Sequence, residues 1–391
     1  MRRLFHRAAL AAGAAALSVM GLIGFYGKSL PSSYLLSDNR GLAVDSFFAV
    51  TSKNSHRTEE AQDVKHNSTL MLFDTFPIKS VTADIIDRPM LVPCGEPFGI
   101  KLMTDGVMVI GLESINSSCP ASDCGIQVGD VITDIDGKTV TTNQRVSEII
   151  SSSKGRACAV TFSRDGRQRT ATLTPVYSGG TYKAGMWVRD SSAGIGTLTF
   201  YDPDTGAFAG LGHPICDADT KQPLPISHGT VGEVKITGCT KSEHGDPGQL
   251  LGEFISPEAT GSITANVAEG VFGRLDECPS DEAALPLGFK QEVRTGEAEI
   301  LSTLSGKEPE RYKIEIENID LSDGASHDMI VHVTDPKLLE TAGGIVQGMS
   351  GSPIIQEGRL VGAVTHVFVD DPTRGYAIFA EDMLISSRSG Q

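Results

Sequence analysis

The chain has 391 residues, with 33 Lys and Arg against 49 Asp and Glu, a formal charge of −16. At roughly 100–200 residues per domain the length implies two or three domains, and the acidic excess repels polyphosphate, which excludes nucleic acid as a partner for the bulk of the chain. Apolar residues at 40% and charged residues at 21% exclude wholesale disorder, while 43 Gly and 19 Pro without a collagen-like period read as turns in a strand-rich protein.

Residues 8–27 carry no charge. About 20 apolar residues are enough to cross a hydrocarbon core of roughly 30 Å, and no other segment is that long, which excludes a polytopic membrane protein. Arg2, Arg3 and Arg7 precede the run, and the positive-inside rule keeps that end cytoplasmic. Residues 1–27 therefore read as a signal-anchor. The alternative is a cleaved signal peptide with residues 11–16 as its apolar core, but no small-residue cleavage site precedes Lys28. In either case residues from 28 onward lie outside the cytoplasm. Residues 28–93 form the N-terminal extracytoplasmic region; its polar stretch 28–60 reads as a linker, and 67–92 holds strand-like apolar runs. The seven cysteines are Cys94, Cys119, Cys124, Cys158, Cys216, Cys239 and Cys278. An odd number leaves at least one unpaired in an exported chain. Cys119 and Cys124, close together around a turn, are the candidate disulfide. A zinc site can be drawn from His213-x2-Cys216 and Cys239-x4-His244. Scattered His and Cys produce such patterns easily, and no metal is assigned.

Residues 94–177 form a compact block. Phe98-Gly-Ile-Lys-Leu and Gly106-Val-Met-Val-Ile-Gly-Leu read as two strands joined at Thr104-Asp-Gly. Thr142 opens a short helix with Val146, Ile149 and Ile150 on one face, closed by Lys154-Gly155. Two further strands turn at Arg164-Asp-Gly-Arg. The run Gly125-Ile-Gln-Val-Gly-Asp-Val-Ile with Asp136-Gly-Lys-Thr-Val140 resembles the PDZ signature of bacterial protease-associated domains. That resemblance implies a peptide binder in which an extended ligand adds to the edge of Phe98-Gly-Ile-Lys-Leu. Pro97, Phe98, Gly99 and Ile100 would form the loop receiving a terminal carboxylate. A small β-domain with a filled groove is the plain alternative.

Residues 178–391 alternate apolar and polar in many short segments, such as Lys313-Ile-Glu-Ile-Glu-Asn-Ile, the period-2 signal of half-buried strands. Two small barrels fit this length. Within it, Gly348-Met-Ser-Gly-Ser-Pro353 is the strongest chemical signal. A serine nucleophile needs an exposed hydroxyl on a tight turn with backbone amides facing the oxyanion, and flanking glycines permit that backbone. The loop resembles the nucleophile loop of chymotrypsin-like proteases, with Ser350 as nucleophile. Ser352 sits in the same loop but is followed directly by proline. The oxyanion amides come from Gly348, Met349 and Ser350. Ser350 needs a base. The histidines available are His56, His66, His213, His228, His244, His327, His332 and His366. His213 stands out in Ala207-Phe-Ala-Gly-Leu-Gly-His-Pro-Ile, where an apolar strand ends in a turn that presents it. His366 reads as a pocket-wall or surface residue. Candidates to orient the base are Asp217, Asp219, Asp246 and Asp335, the first two placed to hold a local turn.

Together, the anchor, the PDZ-like block, Gly-Leu-Gly-His-Pro and Gly-Met-Ser-Gly-Ser-Pro resemble the SpoIVB peptidase family, sporulation serine endopeptidases of endospore-forming bacteria, over about residues 8–391. The fold this implies is mainly β: an N-terminal signal-anchor helix, a PDZ domain at 94–177 and a chymotrypsin-like double β-barrel peptidase at 178–391. It also implies His213 and Ser350 as base and nucleophile, Asp335 as the acidic member and Thr365 as a supporting position. Family function implies export from the forespore into the intermembrane space, self-cleavage within the exposed stretch 28–66, and cleavage of the extracytoplasmic part of a membrane-bound regulator. That step frees an intramembrane metalloprotease to mature a sigma factor. No cofactor is called for. Partners would be the protein substrates, a PDZ peptide ligand and the membrane. The competing readings are a general envelope quality-control protease and a non-catalytic PDZ adaptor.

Overall fold

The computed structural model describes residues 2–37, 42–44, 50–57, 65–323, 325 and 327–389. Helix α1 (Arg2–Ser29) has 28 residues and is about 42 Å long at 1.5 Å per residue. Among the described residues no helix is long and apolar enough to cross a membrane. The uncharged run 8–27 lies on α1, and several side chains in its first half are outside the described residues. The described part of α1 exposes Leu10, Leu17, Met20 and Phe25, whereas its last turn buries Tyr26.

Strands β1 (Ser33–Leu36), β2 (Ala43–Val44), β3 (Val50–Arg57), β4 (Lys65–Leu72) and β5 (Phe76–Ile85) build one sheet in the order β1-β5-β4-β3-β2. This corrects the expectation of a linker over 28–60 for the residues described there; 38–41, 45–49 and 58–60 lie outside the described residues. Alternate apolar residues, Tyr34, Leu70, Leu72 and Val81, pack with Tyr26 and Leu30 in one core. The sheet docks on the C-terminal half: Ser32 bonds Asp323 through its amide (3.0 Å) and hydroxyl (2.7 Å). Arg88 forms a two-pronged pair with Glu292, both contacts 2.8 Å.

After β6 (Met90–Pro93) comes β7 (Pro97–Leu112), a single 16-residue strand where a hairpin at 104–106 was expected. Its second half enters the PDZ core. There α2 (Pro120–Asp123), β8 (Val131–Ile135), β9 (Lys138–Thr139), α3 (Asn143–Ser152), β10 (Cys158–Arg164) and β11 (Arg167–Leu173) follow in turn. Thr142 caps α3, its hydroxyl accepting the Arg145 amide at 3.1 Å. Val146, Ile149 and Ile150 bury against Ile132, Val160 and Leu173. Cys119 and Cys124 bracket α2 as free thiols, each bonded to a separate carbonyl, Gly185 and Ala121.

The chain returns through β12 (Val176–Ser178), β13 (Thr181–Lys183) and β14 (Met186–Tyr201), then β15 (Ala207–Gly210), β16 (Ile226–Thr240), β17 (Gln249–Val267), β18 (Gly270–Leu275) and β19 (Leu285–Pro286). The ladder β7-β16-β17-β18-β15-β14 closes on itself because β14 also pairs with β7. A first barrel results, with Phe98, Leu198, Phe208 and Val271 in its core. The second barrel, β20 (Gly296–Ser302), β21 (Glu310–Ile319), β22 (Met329–Val333), β25 (Arg374–Phe379), β24 (Arg359–Val367) and β23 (Pro353–Gln356), is also closed. In β21 the alternation holds: Tyr312, Ile314 and Ile316 are buried and the residues between them exposed. Helices α4 (Pro336–Ala342) and α5 (Ala380–Ser389) complete the chain.

The double barrel is therefore present, but one of its staves comes from outside residues 178–391. Residues 97–104 lie between β14 and β16: Ile100 pairs with Gly194 on one side and Val231 on the other. Both edges are used, so Pro97, Phe98, Gly99 and Ile100 cannot receive a peptide as an added strand. The expected PDZ binding loop is instead barrel core. Phe98 is 2% exposed and meets Phe208 edge-on at 5.8 Å. Phe98→Ala is expected to lower stability by about 3–5 kcal/mol, the usual range for a buried aromatic, measured by urea unfolding. A loss under about 1 kcal/mol would mean that this strand lies outside the barrel.

Candidate active site

The loop bearing Ser350 is gripped from both barrels. Thr197 of β14 donates its amide to the Ser350 carbonyl (3.1 Å) and its hydroxyl to the Gly348 carbonyl (2.7 Å). Thr199 donates to the Gly351 carbonyl (2.8 Å). From β24, Val364 accepts the Gly351 amide at 2.8 Å and donates to Ser352 at 3.0 Å. Gly351 has φ +98°, and a Cβ there would lie 2.0 Å from the Thr197 carbonyl oxygen. Only glycine fits at that contact.

Within the loop, the Met349 amide is bound to the Val346 carbonyl at 3.1 Å. The amides of Gly348 and Ser350 have no acceptor among the described residues. Two amides two residues apart on a turn can converge on one oxygen; Met349 does not share in that role, a correction to the expected trio. The Ser350 hydroxyl donates to the Thr365 carbonyl at 2.6 Å. Thr365 is buried, and its contribution to the nucleophile is this backbone oxygen. Buried Ser352 has a hydroxyl with no partner among the described residues.

His213 follows β15 through Leu211 and Gly212, both with φ +68°. A Cβ on Gly212 would lie 2.9 Å from the Thr365 methyl, so glycine lets the histidine turn close against the strand after the nucleophile. His213 Nδ1 lies 2.9 Å from the Pro214 carbonyl oxygen. A carbonyl only accepts, so the proton is on Nδ1 and Nε2 keeps its lone pair. Burial lowers the His213 pKa, partly opposed by that hydrogen bond, and the ring is held in its neutral, basic form. His213 and Ser350 line one cavity of about 690 Å³ together with Gly348, Thr365 and His366. Among the described residues no hydrogen bond joins the two, as is common before substrate binds.

Asp335 is not part of this cavity. Its carboxylate caps α4, accepting the amides of Lys337 (2.9 Å) and Leu338 (3.2 Å), and takes the Lys313 amide at 3.2 Å. The expected orienter is a helix cap, as an Asp-Pro at a helix start favours. Asp217 bonds the amides of Asp219 (3.0 Å) and Thr220 (2.9 Å) and pairs with Arg189. Asp246 accepts the Gly248 amide. The drawn zinc pattern is not assembled: His244 Nδ1 lies against the Asp370 carbonyl, and among the described residues no group of three or more His, Cys, Asp or Glu is placed to hold a metal.

The group that does adjoin His213 is His366, with ring centroids 4.6 Å apart and tilted by 37°. His327 follows at 6.3 Å and stacks on Tyr376. His366 keeps solvent contact at the cleft rim. Lost hydration on its inner side, followed by the neighbouring His213 and His327 rings, pushes its pKa down to about 4. His213 and His366 also line a second cavity, about 440 Å³, whose walls include Glu269, Asp320, Asp323, Asp328 and Asp382, with Lys290 among them. Burial raises Asp328 to about 7, and neighbouring carboxylates add to the rise.

Residues 98–174 match the PDZ domain family and residues 180–384 match SpoIVB peptidase S55. Fold and matches together define a serine peptidase carrying a PDZ domain. The S55 match covers more than half of the 391 residues, and the chain belongs to the SpoIVB peptidase S55 family. A protein named as a zinc metalloprotease of Lactococcus lactis subsp. lactis (strain IL1403) is 33% identical over 99 residues, 25% of this chain. The chain spans 22% of that curated relative's length. Among solved structures, the PDZ domain of an SdrC-like protein from Listeria monocytogenes is 26% identical, with a TM-score of 0.19, covering 22% of this chain and 87% of that one. A protease from M. tuberculosis in its active form is 14% identical, with a TM-score of 0.31, covering 51% and 74%.

Asp335→Ala is expected to lower stability by about 1 kcal/mol through the lost cap while leaving peptide hydrolysis within about twofold of wild type. A fall in kcat on the order of 10⁴, as for a lost triad carboxylate, would restore Asp335 as the orienter. Protonated His213 cannot accept a proton, and burial puts its pKa below the ordinary 6.5. The acid limb of a kcat/KM–pH profile is therefore expected to have its midpoint below 6.5; a midpoint above it would show that another group is the base.

Proposed function

We propose that this peptidase is a membrane-anchored, self-processing sporulation endopeptidase that works through a Ser350–His213 dyad. The observation that supports it most directly is the shared cavity: a serine hydroxyl, a neutral imidazole with its Nε2 lone pair free, and the unbonded amides of Gly348 and Ser350. On attack, the Ser350 proton leaves the Thr365 carbonyl and passes to His213 Nε2 while Oγ bonds the scissile carbonyl carbon. The Gly348 and Ser350 amides take the oxyanion, an interaction typically worth about 3–4 kcal/mol of barrier. The Pro214 carbonyl holds Nδ1–H and with it the tautomer, the part an aspartate plays in a triad. His213 then protonates the leaving amine, and water hydrolyses the acyl-enzyme.

The uncharged run 8–27 and the exposed apolar side chains of α1 support an anchor in the membrane. Family membership supports a role in sporulation, with the extracytoplasmic part of a membrane-bound regulator as substrate and activation of an intramembrane metalloprotease as the outcome. A PDZ ligand fits the cleft of about 450 Å³ between α3 and the segment 181–188, lined by Val146, Ile150, Tyr182 and Trp187. There the outer edge of β14 runs beside the helix, as peptide addition requires.

Wild type and Ser350→Ala, expressed in full length, separate the readings. Wild type is expected to yield fragments over time that the variant does not, with at least a roughly 10³-fold lower rate on a peptide substrate in the variant. Equal processing in both would remove Ser350 from the chemistry and favour a non-catalytic PDZ adaptor.

A further inference from the structure

The cavity beside Ser350 has an aliphatic share in its lining. Ile345 and Val346, in the run leading into Ser350, contribute to it, as do Val367 and Val369, just beyond Thr365, and Ile195. No carboxylate lines it, and its cations are Arg189 and Lys221. Arg189 is engaged by Asp217 and Asp219.

Three points fix how a substrate sits here. The carbonyl oxygen under attack goes to the Gly348 and Ser350 amides. When the Ser350 hydroxyl turns to His213, the Thr365 carbonyl is left without its donor and can accept the amide of the same substrate residue. With its carbonyl and amide so placed, that residue stands at the cavity that Ile345, Val346, Val367 and Val369 help to line. We propose that this is the subsite for the residue on the acyl side of the scissile bond and that it selects uncharged aliphatic side chains, Val, Ile or Leu. A Lys or Arg there meets no lining carboxylate and is repelled by Lys221; an Asp or Glu gives up hydration against the aliphatic side chains, with Arg189 already held by Asp217 and Asp219 and Lys221 the remaining cation. The inference rests on the Ser350–His213 reading above.

The test is a digest of a mixed peptide library by the full-length protein in detergent, with new termini read by mass spectrometry for wild type, Ser350→Ala and Val369→Asp. Val369 is 53% exposed, so its replacement leaves the fold intact. Cuts that depend on Ser350 are expected at least about tenfold more often after Val, Ile or Leu than after Ala or a charged residue, the discrimination one or two methylenes give. Val369→Asp is expected to raise cutting after Lys and Arg at their expense. Ser350-dependent cuts with no aliphatic preference, or a preference for charged residues, would overturn the subsite and leave the peptidase assignment standing. Identical termini from wild type and Ser350→Ala would overturn both.

Discussion

Thr197 places the loop that bears Ser350. Its amide and hydroxyl hold two carbonyls of the turn at 348–350, and its own carbonyl accepts the Leu211 amide at 3.2 Å, just ahead of the His213 turn. One buried residue of the first barrel thus ties the candidate nucleophile, which belongs to the second barrel, to the candidate base, which belongs to the first. The tight fits at Gly351 and Gly212 follow from that proximity. Both glycines sit where two strands from different barrels come too close for a side chain. The amides of Gly348 and Ser350 are left without acceptors among the described residues because Thr197 binds the carbonyls of these two residues and not their amides.

Much of this was legible in the residues, since short motifs carry local geometry. Thr142, Val146, Ile149 and Ile150 define a capped amphipathic helix wherever they occur, and the glycines around Ser350 and before His213 are required by backbone conformation. What the residues did not convey is which partner a strand chooses. Phe98-Gly-Ile-Lys-Leu has the right pattern for a PDZ edge and equally for a barrel stave, because alternation reports burial and not the identity of the neighbour. Asp335 shows a related limit. It matches the acidic position that the family resemblance implies, although its short spacing to Ser350 departs from chymotrypsin order, and an Asp followed by Pro at the start of a helix has its carboxylate occupied by amides. The stretch 28–60 reads as polar and open because its apolar residues are few and spaced at alternate positions in short strands, a weak signal until Tyr26 of the helix and the strands of 65–85 supply the other half of the core.

The candidate base also sits in an unusual setting. His213 has a neutral carbonyl on Nδ1 and an imidazole beside its ring, where a triad would offer a full negative charge. A carbonyl dipole fixes the tautomer but stabilises an imidazolium less than an ion does. The carboxylates of the second cavity line it together with the same ring. Among them Asp323 is held below the usual carboxylate range: its burial is outweighed by hydrogen bonds from Ser32 and by Lys79. The N-terminal sheet therefore contributes to the charge environment of the cleft.

Strands β7 and β14 run unbroken from the PDZ core into the wall of the first barrel. Most multidomain enzymes are joined by tethers, so a module can be cut out, exchanged or left to tumble. Here the two units share their backbone, and the place where a tether would be is a ladder of hydrogen bonds. Removing residues up to the end of the PDZ match would open the barrel along one side, and a homologous PDZ domain could be grafted only in register with residues 97–104. The same ladder makes the two units one folding problem. The first barrel cannot close until chain separated by the whole PDZ sequence has been brought together.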